Sequence, residues 1–147
     1  MPEQQTGGDA REGERRSVDN VTRTVMSNLQ DQHDWTDIDI HEGQGFPRPL
    51  IRGLPPKRLY LHPDDQIEAL AHERSTGEKL FQDPELEWVL AVHLIENWSL
   101  SRFAAVFDSI PQEPARRTKR FVLAAVHNDS TVVYYLMNEG MVKPRQN

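Results

Sequence analysis

The chain has 147 residues, a net charge of −6 and no cysteine, which suits one compact domain plus a tail and excludes disulfides, thiol catalysis and cysteine-type zinc sites. No apolar run approaches the ~20 residues of a membrane helix and the first residues lack a secretory h-region, so we expect a soluble intracellular protein. The acidic balance also argues against RNA binding by the chain alone, because neutralising phosphates requires a basic surface.

The chain begins with a polar stretch that gives way to a helix. Residues 1–16 are rich in Gly, Gln, Glu, Asp and Arg, and such a composition cannot offset the entropy of ordering, so we predict a disordered tail. Residues 17–147 form the predicted domain. After Ser17, a plausible N-cap, apolar residues recur at helical spacing and predict an amphipathic helix ending near Gln32. These residues are Val18, Val21, Val25, Met26 and Leu29.

A hairpin is predicted next. Residues 35–40 alternate polar and apolar side chains, as a half-buried strand does. Gly43 and Gly45 predict a turn, and residues 46–51 are the candidate return strand. The two prolines in that return strand indicate a sheet edge or an irregular path, because proline has no N–H to donate.

The middle of the chain is the least regular part. Residues 57–84 are polar, with one weak helical stretch at Asp64–Ala71, and we predict a long, partly mobile loop. Three carboxylates near the start of that stretch could form a cluster for acid–base chemistry. They follow Pro63, however, and suit a helix N-terminus better. These carboxylates are Asp64, Asp65 and Glu68.

The second half shows clear sheet and helix patterns. Residues 88–95 form a nearly continuous apolar run, which predicts a strand buried on both faces. Ser99 is a good N-cap for a helix whose apolar face runs from Leu100 to Ile110. Residues 121–126 and 131–137 are predicted strands joined by a short polar turn. This order predicts an α/β fold, in which a mixed sheet is flanked by helices.

Common catalytic and ligand-binding motifs are absent from the sequence, including the Gly-rich phosphate loop, the nucleophile elbow and HExxH. The spacings of His62, His72 and His93 match no standard pair of metal ligands, so we predict no metal site. Two basic stretches, residues 48–58 and 116–120, fit solvated loops. For the second stretch, the spacing of the residues does not distinguish phosphate binding from an ordinary charged segment before a strand.

The C-terminal third carries a family resemblance. A lysine-led strand at Lys119–Val126, a short turn at Asn128-Asp129 and the run Thr131-Val-Val-Tyr-Tyr resemble the C-terminal signature of tRNA-splicing endonuclease subunits. The ending Glu139-Gly-Met-Val-Lys-Pro is similar to that of the small structural subunit of the eukaryotic enzyme. The resemblance covers residues 18–147 and is most specific after Lys119.

The resemblance implies a fold, an assembly and a location. The fold would be the restriction-nuclease-like α/β fold of tRNA-intron endonucleases. The assembly would be a heterotetramer of catalytic and structural subunits that excises introns from precursor tRNA, without a cofactor. This chain would meet precursor tRNA only through the complex and could form a homodimer when isolated. The implied location is nuclear, with the cytoplasm or an organelle surface as alternatives in some fungi.

The same resemblance implies that this chain has no catalytic residues. Catalytic members use a tyrosine and a histidine for proton transfer and a lysine for charge stabilisation. Only the lysine is matched here, by Lys119. The family histidine falls near Glu85 and the tyrosine near Ser75, while Tyr60 and His62 lie too far upstream to substitute. We therefore predict a pseudo-enzyme.

Assembly is predicted to use the last strand and the turn before it. In the family, the last strands of two subunits pair by edge hydrogen bonding, which implies an interface at Val132, Val133, Tyr134, Tyr135, Leu136 and Met137. The alternative is that these side chains only fill the domain's own core. The preceding turn implies a docking loop at His127, Asn128 and Asp129, in which only Asp129 is acidic. An unrelated self-associating adaptor and an active nuclease with a cryptic site are the competing functions.

Overall fold

The computed structural model describes residues 5–60, 63–78, 83–114 and 116–142. The elements are α1 (Gln5–His33), β1 (Thr36–His41), β2 (Leu50–Leu54), α2 (Pro63–Thr76), β3 (Glu87–His93), α3 (Leu100–Ser109), β4 (Arg120–Val126), β5 (Val132–Asn138) and α4 (Glu139–Val142). The five strands form a sheet in the order β1-β2-β3-β4-β5. β3 and β4 are parallel and the other neighbours are antiparallel. The predicted α/β fold with a mixed sheet is confirmed, whereas the restriction-nuclease-like classification stays a prediction.

The central strands are buried on both faces because a helix covers each face. Alternate side chains of β3 point to opposite faces, so Val89 and Ala91 pack on the side of α1. Trp88, Leu90 and Val92 pack on the side of α3. The helices contribute the apolar residues that the sequence pattern predicts for their buried faces. For α1 these are Val21, Val25 and Leu29, and for α3 they are Val106, Phe107 and Ile110.

Helix α1 begins earlier than predicted. It starts at Gln5, so residues 5–16 are helical and do not belong to a disordered tail, while residues 1–4 lie outside the described residues. Burial of Val21, Val25 and Leu29 anchors the helix. Extending an anchored helix avoids the cost of nucleation and needs no apolar contact, even though Gly7, Gly8 and Gly13 are poor helix formers. The side chains of residues 12–17 are accordingly exposed.

The N-terminal hairpin forms with a shift in its second strand. β1 lies within one residue of the predicted strand at 35–40, but β2 starts at Leu50 and not at residue 46. Pro47 and Pro49 account for the shift, because neither can donate a ladder hydrogen bond.

The segment predicted as a long loop contains helix α2, which extends beyond the predicted stretch Asp64–Ala71 to Thr76. Pro63 occupies the first helical position, which proline tolerates well, and this supports the N-terminal interpretation of the carboxylates that follow. Most α2 side chains are exposed, so the helix leaves little apolar periodicity in the sequence. Within the described ranges, no helix combines the length and apolarity needed to cross a bilayer.

Candidate subunit interface and the Lys119 region

Strand β5 lies at an edge of the sheet. In the part of the chain that the structure describes, it pairs with β4 and its other edge is open. Its side chains are half-buried except for Tyr135, which is 53% exposed. The six residues predicted to form an interface are therefore brought together on one accessible strand. Their role in binding a partner stays a prediction.

The register determines which backbone groups face the open edge. His127 N donates to Thr131 O over 2.8 Å, and Glu139 N donates to Lys119 O over 3.0 Å. Hydrogen-bonded pairs alternate with non-bonded pairs along an antiparallel ladder. The residues bonded to β4 are therefore Val133, Tyr135 and Met137. The residues whose N–H and C=O groups point to the open edge are Val132, Tyr134 and Leu136.

The β5 side chains also serve the domain's own core. The Tyr134 hydroxyl donates to Asn28 Oδ1 over 2.6 Å, and its ring meets His33 edge-on at 5.2 Å between centroids. Burial raises the pKa of Tyr134 to about 12. Val132 and Leu136 pack on the same cluster. The two roles of β5 are therefore compatible. Its side chains fill the core of the domain, and its backbone groups at the open edge would pair with a partner strand.

The opposite edge of the sheet is poorly suited to pairing. β1 carries an irregular register between Thr36 and Asp39, and Asp37 adopts a left-handed conformation with φ of 52°. Bulges and charged side chains are common means of blocking an edge strand. β5 is regular and has no charged residue, so it is the better edge for adding a strand.

The predicted docking loop is the tip of the β4–β5 hairpin. Ser130 N donates to His127 O over 2.9 Å, and Ser130 has a left-handed φ of 68°. Thr131 N donates to Asp129 Oδ1 over 3.1 Å. Hydrogen bonds from Thr131 lower the pKa of Asp129, so this exposed turn presents an ionised carboxylate to solvent. Its docking role stays a prediction.

Lys119 has a structural contact. It immediately precedes β4, and its Nζ donates to the backbone carbonyl of Phe107 over 3.0 Å. That bond ties the last turn of α3 to the start of β4. The amine therefore already has a partner within the domain.

Glu85, near which the resemblance predicts the family histidine, belongs to an ion-pair network. Arg120 Nη2 lies 2.9 Å from Glu85 and 2.6 Å from Glu87, and Arg120 Nε donates to Glu87 over 3.2 Å. Arg58 and Arg116 lie 3.1 Å and 3.4 Å from Glu85. Burial opposes the charge on Arg120, but the hydrogen bond and charge of Glu87 outweigh burial and raise its pKa. The network is defined here as these five residues.

The network explains the basic stretch at residues 116–120, for which phosphate binding was open. The solvated-loop interpretation is wrong for Arg116 and Arg120, whose side chains are each only 7% exposed. Arg116 and Arg120, in the stretch at 116–120, are held by buried or half-buried carboxylates. Arg117 lies 3.7 Å from Asp65. These charges are therefore compensated and do not form a free phosphate site. The sequence signal was the Glu-x-Glu pair at the start of β3, together with the Arg-rich segment that leads into β4. The starts of these two strands are adjacent because the strands are parallel neighbours.

The other positions considered for chemistry are dispersed. Ser75 is exposed on α2 and its hydroxyl donates to His72 O over 3.1 Å, and the Tyr60 ring lies 5.3 Å from the Arg120 guanidinium. His93 ends β3, and His62 falls outside the described residues. Among the residues the structure does describe, no group of three His, Asp or Glu side chains could hold a metal ion.

Comparison with known proteins identifies relatives of the whole domain. A family model described as Sen15 protein matches residues 24–147. The probable tRNA-splicing endonuclease subunit tsp-1 of Neurospora crassa is 49% identical over 146 residues, covering 86% of this chain and 66% of that protein's length. The tRNA-splicing endonuclease subunit SEN15 of Eremothecium gossypii is 28% identical over 127 residues, covering 86% of this chain and 91% of that protein. A probable sen15 subunit of Schizosaccharomyces pombe is 26% identical over 140 residues, covering 86% and 82%.

Proposed function

Because this chain belongs to the Sen15 protein family, we propose that it is a structural, non-catalytic subunit of the tRNA-splicing endonuclease. It pairs with a catalytic subunit in a heterotetramer that excises introns from precursor tRNA. The observation that carries the proposal is the open, regular and uncharged edge of β5. Such an edge is a template for a strand from another chain.

The chemistry around Lys119 supports a non-catalytic role. A lysine can stabilise a developing phosphorane charge only when its amine points at the reacting phosphate. Here the amine is bonded to the Phe107 carbonyl. Glu85, near which the resemblance predicts the family histidine, is an ion-paired carboxylate and not an imidazole able to protonate a leaving oxygen. Lys119 alone cannot replace the missing acid and base.

The proposed assembly through β5 implies further contacts with partner subunits and with precursor tRNA. A partner strand would take hydrogen bonds from the open-edge residues, and the Asp129 turn would dock separately into a basic pocket of another subunit. Without its partners, the same edge would favour a two-fold homodimer. The acidic chain would meet precursor tRNA only within the complex, in the nucleus or, in some fungi, in the cytoplasm or at an organelle surface.

Family membership bears on the competing functions. An unrelated self-associating adaptor is not favoured, because relatives named as endonuclease subunits match most of the chain. An active nuclease is not favoured by the contacts of Lys119 and Glu85.

Replacing Lys119 by alanine should affect stability modestly and catalysis hardly at all. The variant loses one hydrogen bond to a backbone carbonyl, worth about 1 kcal/mol, and chemical denaturation of the isolated chain measures that loss. Cleavage of precursor tRNA by the reconstituted complex should stay near the wild-type rate. A fall of about 100-fold, typical for loss of an electrostatic catalytic group, would contradict the non-catalytic role.

The proposed function is tested by purifying a tagged chain from its native cell and identifying the bound proteins by mass spectrometry. We expect the catalytic and remaining structural subunits of the endonuclease in stoichiometric amounts. Recovery of the chain alone, or with unrelated proteins only, would refute the proposal.

A further inference from the structure

The connection between β3 and α3 exposes large apolar side chains. Leu94 is 58% exposed, Ile95 is 76% exposed, and Leu100, at the start of α3, is 65% exposed. The sequence predicts Leu94 and Ile95 inside a buried strand, but β3 ends at His93. Clustered apolar groups at a protein surface are characteristic of contact sites.

This connection is held in place by a half-buried ion pair between Arg48 and Glu96. Glu96 accepts from His93 N over 2.6 Å and from Arg48 Nη1 over 2.6 Å. Arg48 is buried and also donates to Ala91 O over 2.8 Å. Glu96 N also donates to His93 O over 2.9 Å, which closes a turn directly after β3. Leu94 and Ile95 lie within that turn and are exposed. Burial opposes the charge on Glu96, but hydrogen bonds from Arg48 and His93 outweigh it and lower its pKa, so the pair is ionised at neutral pH.

A second anchor is the Trp98 ring. The guanidinium carbons of Arg48 and Arg102 lie 5.4 Å and 3.9 Å from its centroid, and the ring stacks on Phe103 at 5.0 Å. Cation–π and stacking contacts of this kind fix the connection on α3. The Trp98 ring therefore packs against the domain, whereas the Ile95 side chain faces solvent. A surface that is ordered before binding loses less entropy when a partner covers it.

The exposed residues lie at the same end of the sheet as the predicted docking loop. Leu94 N donates to Val126 O over 2.9 Å, and Val126 directly precedes the His127–Asp129 turn. β3 and β4 are parallel, so the segments that follow them emerge side by side. Leu94 therefore flanks the turn that carries Asp129.

A groove continues this surface toward α1. It has a volume of about 960 Å³ and lies between the N-terminal half of α1 and the β3–α3 connection. Its apolar lining includes Val18, Val21, Pro47, Ile95 and Trp98. The groove offers room for the side chains of an approaching segment.

We propose that Leu94, Ile95 and the adjoining groove form the apolar half of a protein-docking surface whose charged half is Asp129. The occupant is a segment of another endonuclease subunit that presents a basic side chain to Asp129 and apolar side chains to Leu94 and Ile95. The inference rests on the proposed function and extends it beyond the hairpin turn. Charge complementarity favours this occupant, because an exposed carboxylate attracts a basic protein group and repels RNA phosphates.

The test is the double variant Leu94→Ser/Ile95→Ser in the full chain, titrated against the remaining endonuclease subunits purified together. Loss of two apolar contact residues should weaken binding by about 10-fold or more. The matched control is Ile67→Ser, since Ile67 is 65% exposed on α2, and it should bind like wild type. Circular dichroism checks folding, and Ile95→Ser alone serves as the milder variant if the double one is unstable.

The outcomes separate this inference from the proposed function. If the wild-type chain binds none of the endonuclease subunits, both fail. If the wild type binds and the double variant binds equally well, only the docking surface is overturned. If the double variant loses self-association but keeps its affinity for the other subunits, the occupant is a second copy and the inference is also overturned.

Discussion

Replacing Glu87 by glutamine should lower the free energy of unfolding by about 3–5 kcal/mol, as removing one partner of a buried ion pair does. The Glu87 side chain is 1% exposed and faces Arg120, whose side chain is 7% exposed. Glutamine keeps the size of the side chain but removes its charge. Arg120 and Arg116 would then be buried with less compensation. Urea denaturation of the isolated chain measures the change.

The control for Glu87→Gln is Arg58→Ala at the outer end of the same network. Arg58 lies 3.1 Å from Glu85, and both side chains are partly exposed, at 24% and 30%. Solvent screens such pairs, so the expected cost is about 1 kcal/mol or less. If both variants lost the same free energy of unfolding, the buried Glu87–Arg120 pair would not be the main source of the network's stability.

Replacing Tyr134 by proline should strongly weaken binding to a partner while the domain stays folded. The Tyr134 N–H points to the open edge, so proline removes a donor from the proposed interface and leaves the β4 ladder intact. The partner's acceptor would lose its donor at a cost of about 1–3 kcal/mol, which weakens binding by roughly 10- to 100-fold. Binding to the catalytic subunit, measured by calorimetry, gives the effect.

Two further variants separate backbone from side-chain effects at this strand. Tyr134→Ala also loses the hydrogen bond to Asn28 but keeps the N–H, so it should still bind. Tyr135→Pro removes a donor to β4 and should destabilise the domain itself, although Tyr135 is the more exposed side chain. If Tyr134→Pro stays folded and binds as tightly as Tyr134→Ala, β5 is not the interface.

Several elements could be predicted because the sequence signal was local. Between their polar end residues the runs in β3 and β4 are apolar, and Ser99 caps α3 by accepting from Arg102 N over 3.3 Å. The family could be predicted from the residues after Lys119, where a lysine-led strand, a turn and a Val-Val-Tyr-Tyr strand follow one another. The family match confirms that resemblance.

Other features depend on contacts between distant residues and could not be predicted. The network joins Glu87 to Arg120 across 33 positions of sequence. Its Glu-x-Glu and Arg-rich segments can be matched only once β3 and β4 are known to be parallel neighbours. The exposure of Ile95 follows from a turn set by Glu96 and Arg48, although Ile95 continues an apolar run. The open edge of β5 likewise depends on strand order, which periodicity does not specify.

Reconstitution of the endonuclease with and without this chain tests the central claim most directly. Cleavage of an intron-containing precursor tRNA is measured for the chain alone, for the other subunits alone, and for all subunits together. We predict cleavage by the full assembly, none by the isolated chain, and loss of both assembly and cleavage when the chain is omitted. Cleavage by the isolated chain, or undiminished cleavage without it, would contradict the account of a non-catalytic structural subunit.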